Sequence, residues 1–245
     1  MKTPVTISIC CLLFALFSLS WLSLPKNNSL EIVPVTSGLP VDLKPLADEM
    51  ASLYFLLNLH EMGLSQPVFE YAYKGYNHLV KKKIISKQNY LTICDFSQSS
   101  NNKRLYVVDL AKKEVLLNTY VAHGRNSGGE YATRFSNKLR SLQSSLGFYI
   151  TQNTYYGEHG LSLRMRGLET GYNDKAVRRR IVIHGADYIG DDWLRQNPYM
   201  GRSYGCPAIP RKESNYLINT IKNGSCLFIY HPSKRYMKES KILNG

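Results

Sequence analysis

From Tyr90 onward the chain is a series of short β-rich runs separated by turn residues, and this pattern constrains the fold more than any other feature. Strands are predicted at residues 90–96, 104–110, 114–121, 146–151, 180–184 and 226–230. A single short helix is expected in this half, at about 212–222, so helices do not alternate with strands as in a parallel α/β fold. The pattern predicts a mainly β (α+β) domain over residues 89–233, followed by a C-terminal tail at 234–245.

The segment before these runs has a helical pattern. Leu43, Leu46, Ala47 and Met50 recur at the spacing of one helix face, and Gly63 ends this pattern. A second helix is predicted at 67–79, with a proline in its first turn. We therefore expect a helical N-terminal element at 43–88, preceded by a Pro/Asn/Gly-rich linker at 25–42.

Residues 1–24 indicate the compartment. Residues 5–24 carry no charge, and their apolar core at 7–17 is typical of an export signal. About 20 apolar residues also suffice to span a bilayer, so a membrane tether through 5–24 is the alternative to a cleaved signal peptide. Either reading places the rest of the chain outside the cytoplasm, in the periplasm or elsewhere in the cell envelope.

The net charge indicates an anionic partner. Lysine plus arginine number 31 against 18 acidic residues, a net charge of +13. Such an excess suits nucleic acid, a membrane surface or an acidic wall polymer. Because the chain is predicted to be exported, nucleic acid is not expected as the partner.

Cysteine usage excludes two classes of protein. The five cysteines include no C-x-x-C pair, which argues against a zinc ribbon, and they are too few for a disulfide-rich miniprotein. Cys94 and Cys226 lie in apolar strand-like runs, where either buried free thiols or a mutual disulfide would fit. Either arrangement leaves Cys206 as a free thiol.

Cys206 has the local sequence of a presented nucleophile. Gly205 precedes it, and Pro207 and Pro210 follow and stiffen the chain. Such a turn presents a thiol with backbone N–H groups nearby. A thiol needs a base to react near neutral pH, and His184, at the end of an apolar strand, is a candidate. A buried structural cysteine and a core histidine are the alternative reading of this pair.

The sequence around His184 and Cys206 resembles the YkuD-type murein L,D-transpeptidase catalytic domain, in its Ser-x-Gly-Cys-Pro-Ala subgroup. The resemblance rests mainly on His184-Gly185 and on Ser203-Tyr204-Gly205-Cys206, and covers about residues 65–231. The further matching stretches are His123-Gly124, Ser127-Gly128, Phe135-Ser136-Asn137, Ser144-Ser145-Leu146-Gly147, Tyr156-Gly157-x-His159-Gly160, Gly167-Leu168 and Asn173-Asp174.

The resemblance implies a fold, an activity and a set of roles. The fold would be a β-sandwich or β-barrel. The protein would be an exported cysteine acyltransferase acting on peptidoglycan tetrapeptide stems to form 3–3 cross-links, and a carbapenem target. Cys206 would attack the stem carbonyl to form a thioester, His184 would move the proton, and the Gly185 carbonyl would orient its ring. The N–H groups of Tyr204, Gly205 and Cys206 would form the oxyanion hole.

Further residues are candidates for contacting substrate. They are Ser203, Arg202, Tyr156, His159, His123 and Arg166, with Arg164 and Arg211 as other candidates for a substrate carboxylate. One arginine of 178–180 is also expected to face the cleft. Neither a metal nor an organic cofactor is implied, the partners would be stem peptides, and a monomer is expected.

The sequence is also compatible with three other functions. An L,D-carboxypeptidase or murein hydrolase would use the same Cys-His pair but let water resolve the thioester. A zinc site would use His123, His159, His184, Asp187 and Cys206. A non-catalytic wall-binding protein would need only the positive charge.

Overall fold

The computed structural model describes residues 44–245. The predicted signal or anchor at 1–24 and the linker at 25–42 lie outside these residues. Within the described part of the chain, no helix is both long and apolar enough to cross a membrane.

Two helices come first, α1 (Lys44–Leu56) and α2 (Gln66–Lys81). The second contains the predicted span 67–79, with its proline in the first turn. Its apolar face packs on the sheet, and Gly75 makes this approach possible, because a Cβ there would lie 2.0 Å from the Phe148 ring. The Tyr76 hydroxyl donates to the Gln88 carbonyl at 2.5 Å and so holds α2 to the chain that enters the sheet.

The rest of the chain is built on eight strands, and the predicted mainly β class is confirmed. They are β1 (Tyr90–Asp95), β2 (Leu105–Asp109), β3 (Glu114–Thr119), β4 (Gly147–Gly157), β5 (Gly160–Gly167), β6 (Val182–Ala186), β7 (Ala208–Pro210) and β8 (Cys226–Tyr230). The order across the sheet is β3-β2-β1-β8-β4-β5-β6-β7. Two strands were not predicted from the sequence: β5, whose exposed arginines alternate with buried residues, and β7, which is only three residues long.

The two edges of this sheet approach each other. After β3, the N–H of Ala122 donates to the carbonyl of Ala208 in β7 at 2.8 Å. Gly124 then forms a parallel bridge with Ser203. The sheet is therefore curved toward closure, in agreement with the predicted sandwich or barrel, and the closing segment runs beside the Cys206 turn.

The helices of the second half differ from the single one predicted. The predicted span 212–222 corresponds to α4 (Arg211–Ile221). Three more short helices are present: α3 (Asp191–Leu194), α5 (Lys234–Glu239) and α6 (Lys241–Asn244). The last two lie in the predicted tail, where Ser233 and Ser240 cap them by accepting from backbone N–H groups. The buried Glu169 carboxylate accepts from the Tyr236 hydroxyl at 2.8 Å, which anchors this tail to the domain.

Cys94 and Cys226 are buried free thiols, so the disulfide left open by the sequence does not form. They lie on the paired strands β1 and β8, but Cys226 is opposite Leu91 and Cys94 is opposite Ile229. This offset of three residues separates them by about 10 Å along the strands, beyond the Cα distance that a disulfide can bridge.

Candidate active site

The Cys206 turn is held by a hydroxyl and a glycine. Gly205 has a φ of +121°, a conformation that only glycine adopts readily, and a Cβ there would lie 2.8 Å from the Gln143 carbonyl. The Ser203 hydroxyl accepts from the Gly205 N–H at 3.0 Å and donates to the Cys206 carbonyl at 2.6 Å. These bonds fix the backbone on both sides of the thiol.

The turn places the Cys206 thiol against the start of β6. Its Sγ is 3.8 Å from the Arg180 carbonyl oxygen, and the side chain is half-buried. Burial raises the pKa of the Cys206 thiol, while the Val182 N–H and the positive charge of Arg179 oppose this rise. The thiol is therefore protonated at neutral pH in the resting protein.

His184 lies on the same strand, two residues beyond Val182, and is buried. Its Nδ1 is 3.1 Å from the Gly185 carbonyl oxygen. Because a carbonyl only accepts, Nδ1 carries the proton and Nε2 of the neutral ring is left as the basic nitrogen. Burial lowers the pKa of His184 to about 4, against the opposing effect of the Gly185 carbonyl, so the ring is neutral near pH 7.

Gly185 is required beside this histidine. A Cβ at Gly185 would lie 2.6 Å from the Ser214 hydroxyl oxygen of α4. The absence of a side chain lets α4 pack closely on β6 and keeps the strand carrying His184 in place. On the other side, His184 pairs with Ala208, two residues after Cys206, so β6 and β7 bring the histidine and the cysteine turn to the same end of the sheet.

His159 covers His184. It lies at the tip of the hairpin between β4 and β5, where Gly157 pairs with Gly160. The two imidazole rings stack with centroids 4.1 Å apart and an interplanar angle of 19°. The His159 carbonyl accepts from Arg211 Nη1 at 3.3 Å, and the same guanidinium pairs with Asp187 at 2.6 Å. His159, one of the predicted substrate contacts, therefore touches the candidate base.

Of the three oxyanion donors predicted from the sequence, the structure leaves two available. The Gly205 N–H already donates to the Ser203 hydroxyl, so it is not available. No hydrogen bond within the described residues occupies the N–H of Tyr204 or Cys206. These two groups remain as candidate donors at the turn. Ser203 is likewise committed within the turn, because its only proton goes to the Cys206 carbonyl.

His123 does not face the cleft as predicted. It is buried, with Nδ1 2.9 Å from Nη2 of Arg104, which is itself fully buried. Burial and the neighbouring guanidinium lower the pKa of His123 to about 4. Its contribution to the site is through the backbone, since its carbonyl accepts from the Ser203 N–H at 3.0 Å.

Strand register corrects the choice of tyrosine. In antiparallel strands, residues directly opposite each other share a face. Ser162 is opposite both Tyr155 and His184, whereas Tyr156 is opposite Leu161 and so lies on the other face. Tyr155, not the predicted Tyr156, shares the face of His184. This register is set by the hairpin in which Gly157 pairs with Gly160, a pairing that the sequence pattern did not predict.

The same register ranks the candidate arginines. Arg164 is directly opposite Val182, beside the thiol, and its guanidinium lies 4.3 Å from the centre of the Tyr155 ring. Arg166 is on the same face, but it lies two residues farther along β5 from Ser162, the residue that pairs with His184. Arg202 donates to the Gly128 carbonyl at 3.1 Å. Arg164 is thus better placed than the predicted Arg166 and Arg202.

The side chains considered as zinc ligands do not converge. Nδ1 of His123 faces Arg104 and the Asp187 carboxylate pairs with Arg211. Among residues 44–245 no group of three histidine, cysteine, aspartate or glutamate side chains is arranged to hold a metal ion. A neutral thiol, a neutral imidazole and free backbone N–H groups at one turn are instead suited to acyl transfer through sulfur.

Comparisons with protein families and with solved structures both find similar proteins. A family model of the L,D-transpeptidase catalytic domain matches residues 60–230. Similar solved structures include an L,D-transpeptidase from Mycobacterium smegmatis, with 12% identity, a TM-score of 0.36, and coverage of 58% of this chain and 59% of that one. An L,D-transpeptidase from Enterococcus faecium has 14% identity, a TM-score of 0.35, and coverage of 58% and 50%.

A helical cell shape determining protein from Campylobacter jejuni has 14% identity, a TM-score of 0.38, and coverage of 65% and 54%. The chain therefore spans less than two thirds of each of these three solved chains. No curated protein sequence was found to match it.

Proposed function

Because the chain belongs to the L,D-transpeptidase catalytic domain family, we propose that it is an exported cysteine acyltransferase that cross-links peptidoglycan stems. Membership of the family was predicted from the His184 and Cys206 motifs and is confirmed. The proposed substrate is a tetrapeptide stem, and the proposed product is a 3–3 cross-link. We place the catalytic domain at 89–233, after a signal peptide or anchor at 1–24, a linker at 25–42 and a helical element at 43–88.

The first step is acylation of Cys206. Nε2 of His184 takes the thiol proton as the sulfur attacks the carbonyl carbon of the third stem residue. The N–H groups of Tyr204 and Cys206 donate to the oxygen that becomes negative. The carbon–nitrogen bond then breaks, the leaving amine of the terminal alanine takes the proton from His184, and a thioester remains on the sulfur.

The second step transfers the acyl group from the sulfur of Cys206 to an acceptor. An amine from a neighbouring stem attacks the acyl carbon and loses a proton to His184. The carbon–sulfur bond breaks, and the sulfur takes the proton back. If water attacks instead, the product is a free tripeptide and the enzyme is an L,D-carboxypeptidase.

One observation carries this proposal: the Gly185 carbonyl holds Nδ1 of His184, which leaves Nε2 as a base on the strand that the Cys206 thiol contacts. The His184 ring is unprotonated at neutral pH, so Nε2 is free to accept a proton. The free N–H groups of the turn support the thioester route.

Product analysis tests the proposal. The protein is incubated with a disaccharide-tetrapeptide, and the products are weighed by mass spectrometry. A cross-linked dimer with loss of one alanine is expected, whereas tripeptide alone would assign the carboxypeptidase activity. Cys206→Ala should abolish both products with an unchanged circular dichroism spectrum. Substrate recovered intact from the wild-type protein would contradict both reactions and leave wall binding as the function.

Histidine variants test the assignment of the base. His184→Gln should slow acylation by about 10²–10⁴-fold, the usual contribution of a general base. His60→Gln, at a partly exposed histidine in the helical element, is the matched control and should leave the rate unchanged. A carbapenem should add once per chain, and peptide mapping should find the adduct on Cys206. An adduct on Cys94 or Cys226 would refute the assignment.

A further inference from the structure

A pocket of about 560 Å³ opens beside the Cys206 turn, and arginines dominate its lining. We call it the arginine pocket. Its cationic residues are Arg140, Arg178, Arg179 and Arg180. Leu139, Leu142 and the exposed ring of Tyr204 complete the wall. Two separate segments of the chain, at 139–142 and 178–180, therefore bring four positive charges to one cavity.

Only one of these arginines has its guanidinium satisfied by the protein. Arg179 donates to the Ser136 carbonyl at 2.6 Å and to the Ser141 hydroxyl at 3.1 Å, and also to groups of residues 143 and 145. Arg140, Arg178 and Arg180 are exposed, and no carboxylate or carbonyl of the described residues pairs with their side chains. The pocket thus has a rigid cationic wall and three guanidinium groups available for a ligand.

The backbone of the pocket is held in a disfavoured conformation. Arg140, Leu142 and Arg180 have φ values of 57°, 58° and 56°, a region that side chains other than glycine rarely adopt. The Ile181 N–H donates to the Ala176 carbonyl at 3.0 Å, which holds the chain on one side of Arg180. Conformations of this kind persist where the surrounding structure imposes them, and they concentrate at binding sites.

The pocket lies on one side of the thiol and His184 lies on the other. The Arg180 carbonyl oxygen is the atom 3.8 Å from Sγ of Cys206. From there β6 runs through Val182 to His184, about 3.3 Å per residue away from the pocket. The thiol is therefore between the cationic pocket and the candidate base.

This order assigns the two sides of the cleft, and the assignment rests on the proposed function. The leaving amine and the attacking amine both exchange protons with His184, so both must approach on its side of the sulfur. The acyl portion of the donor peptide must then extend the other way, over Arg180. We propose that the arginine pocket binds the free carboxylates of the acyl-donor peptide, an acidic peptide held by Arg140, Arg178 and Arg180. Guanidinium groups suit this ligand because each can bind a carboxylate with two parallel hydrogen bonds.

Binding to protein that cannot turn over tests this pocket separately from catalysis. The Cys206→Ala protein is titrated calorimetrically with a tetrapeptide stem whose side-chain carboxylates are free, and with the same peptide carrying carboxamides. The free-acid peptide should bind at least about tenfold more tightly, and 0.5 M NaCl should reduce this preference, as expected for exposed charges. Adding Arg140→Gln, Arg178→Gln and Arg180→Gln should abolish it.

Two control proteins test whether the triple variant loses its preference only because it misfolds. Arg178 does not have a positive φ, so Arg178→Gln alone should leave the backbone unchanged and remove part of the preference for the free-acid peptide. Arg235→Gln, at an exposed arginine of α5 that lines no part of the pocket, should keep it in full. Equal affinity for the two peptides in the Cys206→Ala protein, or a preference that survives the triple change, would overturn the proposal.

The outcomes also separate this inference from the proposed function. If the wild-type protein forms no product but the preference is present and is lost in the triple variant, the pocket assignment stands and the enzymatic proposal fails. If product forms without any preference, the enzyme stands and the pocket assignment fails. Tighter binding of a phosphodiester polymer than of the free-acid peptide, lost in the triple variant, would assign the pocket to that polymer and overturn the peptide ligand.

Discussion

The resting site should contain a neutral thiol and a neutral imidazole, and the pH dependence of thiol alkylation tests this directly. Burial raises the pKa of Cys206 and lowers that of His184 to about 4. Both groups are therefore uncharged above about pH 4 and below the raised pKa of the thiol, in contrast to the thiolate–imidazolium pair of many cysteine enzymes. The proton must move during the attack rather than before it.

The expected pH dependence of the alkylation rate follows from the thiolate fraction of Cys206. An ordinary cysteine, with a pKa near 8.5, is about 3% thiolate at pH 7, and Cys206 should be below that fraction. Because iodoacetamide reacts with thiolate, the alkylation rate should rise about tenfold per pH unit between pH 5.5 and 8, with no plateau. An ion pair would instead give a rate nearly independent of pH across this range.

The assay follows iodoacetamide incorporation by mass spectrometry with peptide mapping to Cys206. Cys94 and Cys226 are fully buried and should stay unlabelled in the native protein. His184→Gln should change alkylation little, since the imidazole is not paired with a thiolate, while acylation by a carbapenem falls about 10²–10⁴-fold. A flat alkylation profile from pH 5.5 to 8, or one that becomes steep only in His184→Gln, would refute the neutral pair.

Two further predictions concern stability and the cysteine turn. His123 and His184 have folded pKa values of about 4 and unfolded values near 6.5, so the unfolded chain binds more protons between these pH values. The unfolding free energy should therefore be nearly constant above pH 7 and fall by about 3 kcal/mol from pH 6.5 to 5. Equal urea midpoints at pH 7 and 5 would contradict this. Gly205→Ala should cost about 1–3 kcal/mol and reduce transfer, because its backbone at φ +121° and the Gln143 carbonyl both oppose a Cβ. Gly171→Ala, also at positive φ but with open space around it, is the matched control and should keep full transfer; equal activity of the two variants would exclude the proposed constraint at the turn.

Several features could be predicted from the sequence because their signals are local. Short β-rich runs bounded by turn residues indicated six strands of the sheet, and a proline before an apolar helical stripe indicated α2. The Gly205-Cys206-Pro207 segment indicated a rigid turn, which depends only on backbone restrictions of glycine and proline. The apolar run before His184 indicated the strand that carries this histidine, but β6 spans Val182–Ala186, so His184 lies in the middle of the strand and not at its end as predicted.

Other features depend on contacts between distant parts of the chain, and only the tertiary structure decided them. The pairing of Gly157 with Gly160 in the hairpin of β4 and β5 puts Tyr155 rather than Tyr156 opposite Ser162, and so on the face of His184. Burial beside Arg104 removes His123 from the cleft, and hairpin closure stacks His159 on His184. The arginine pocket combines segments around 140, 179 and 204. A sequence pattern reports the local preference of a segment, whereas strand register and burial are set by which distant segment packs against it.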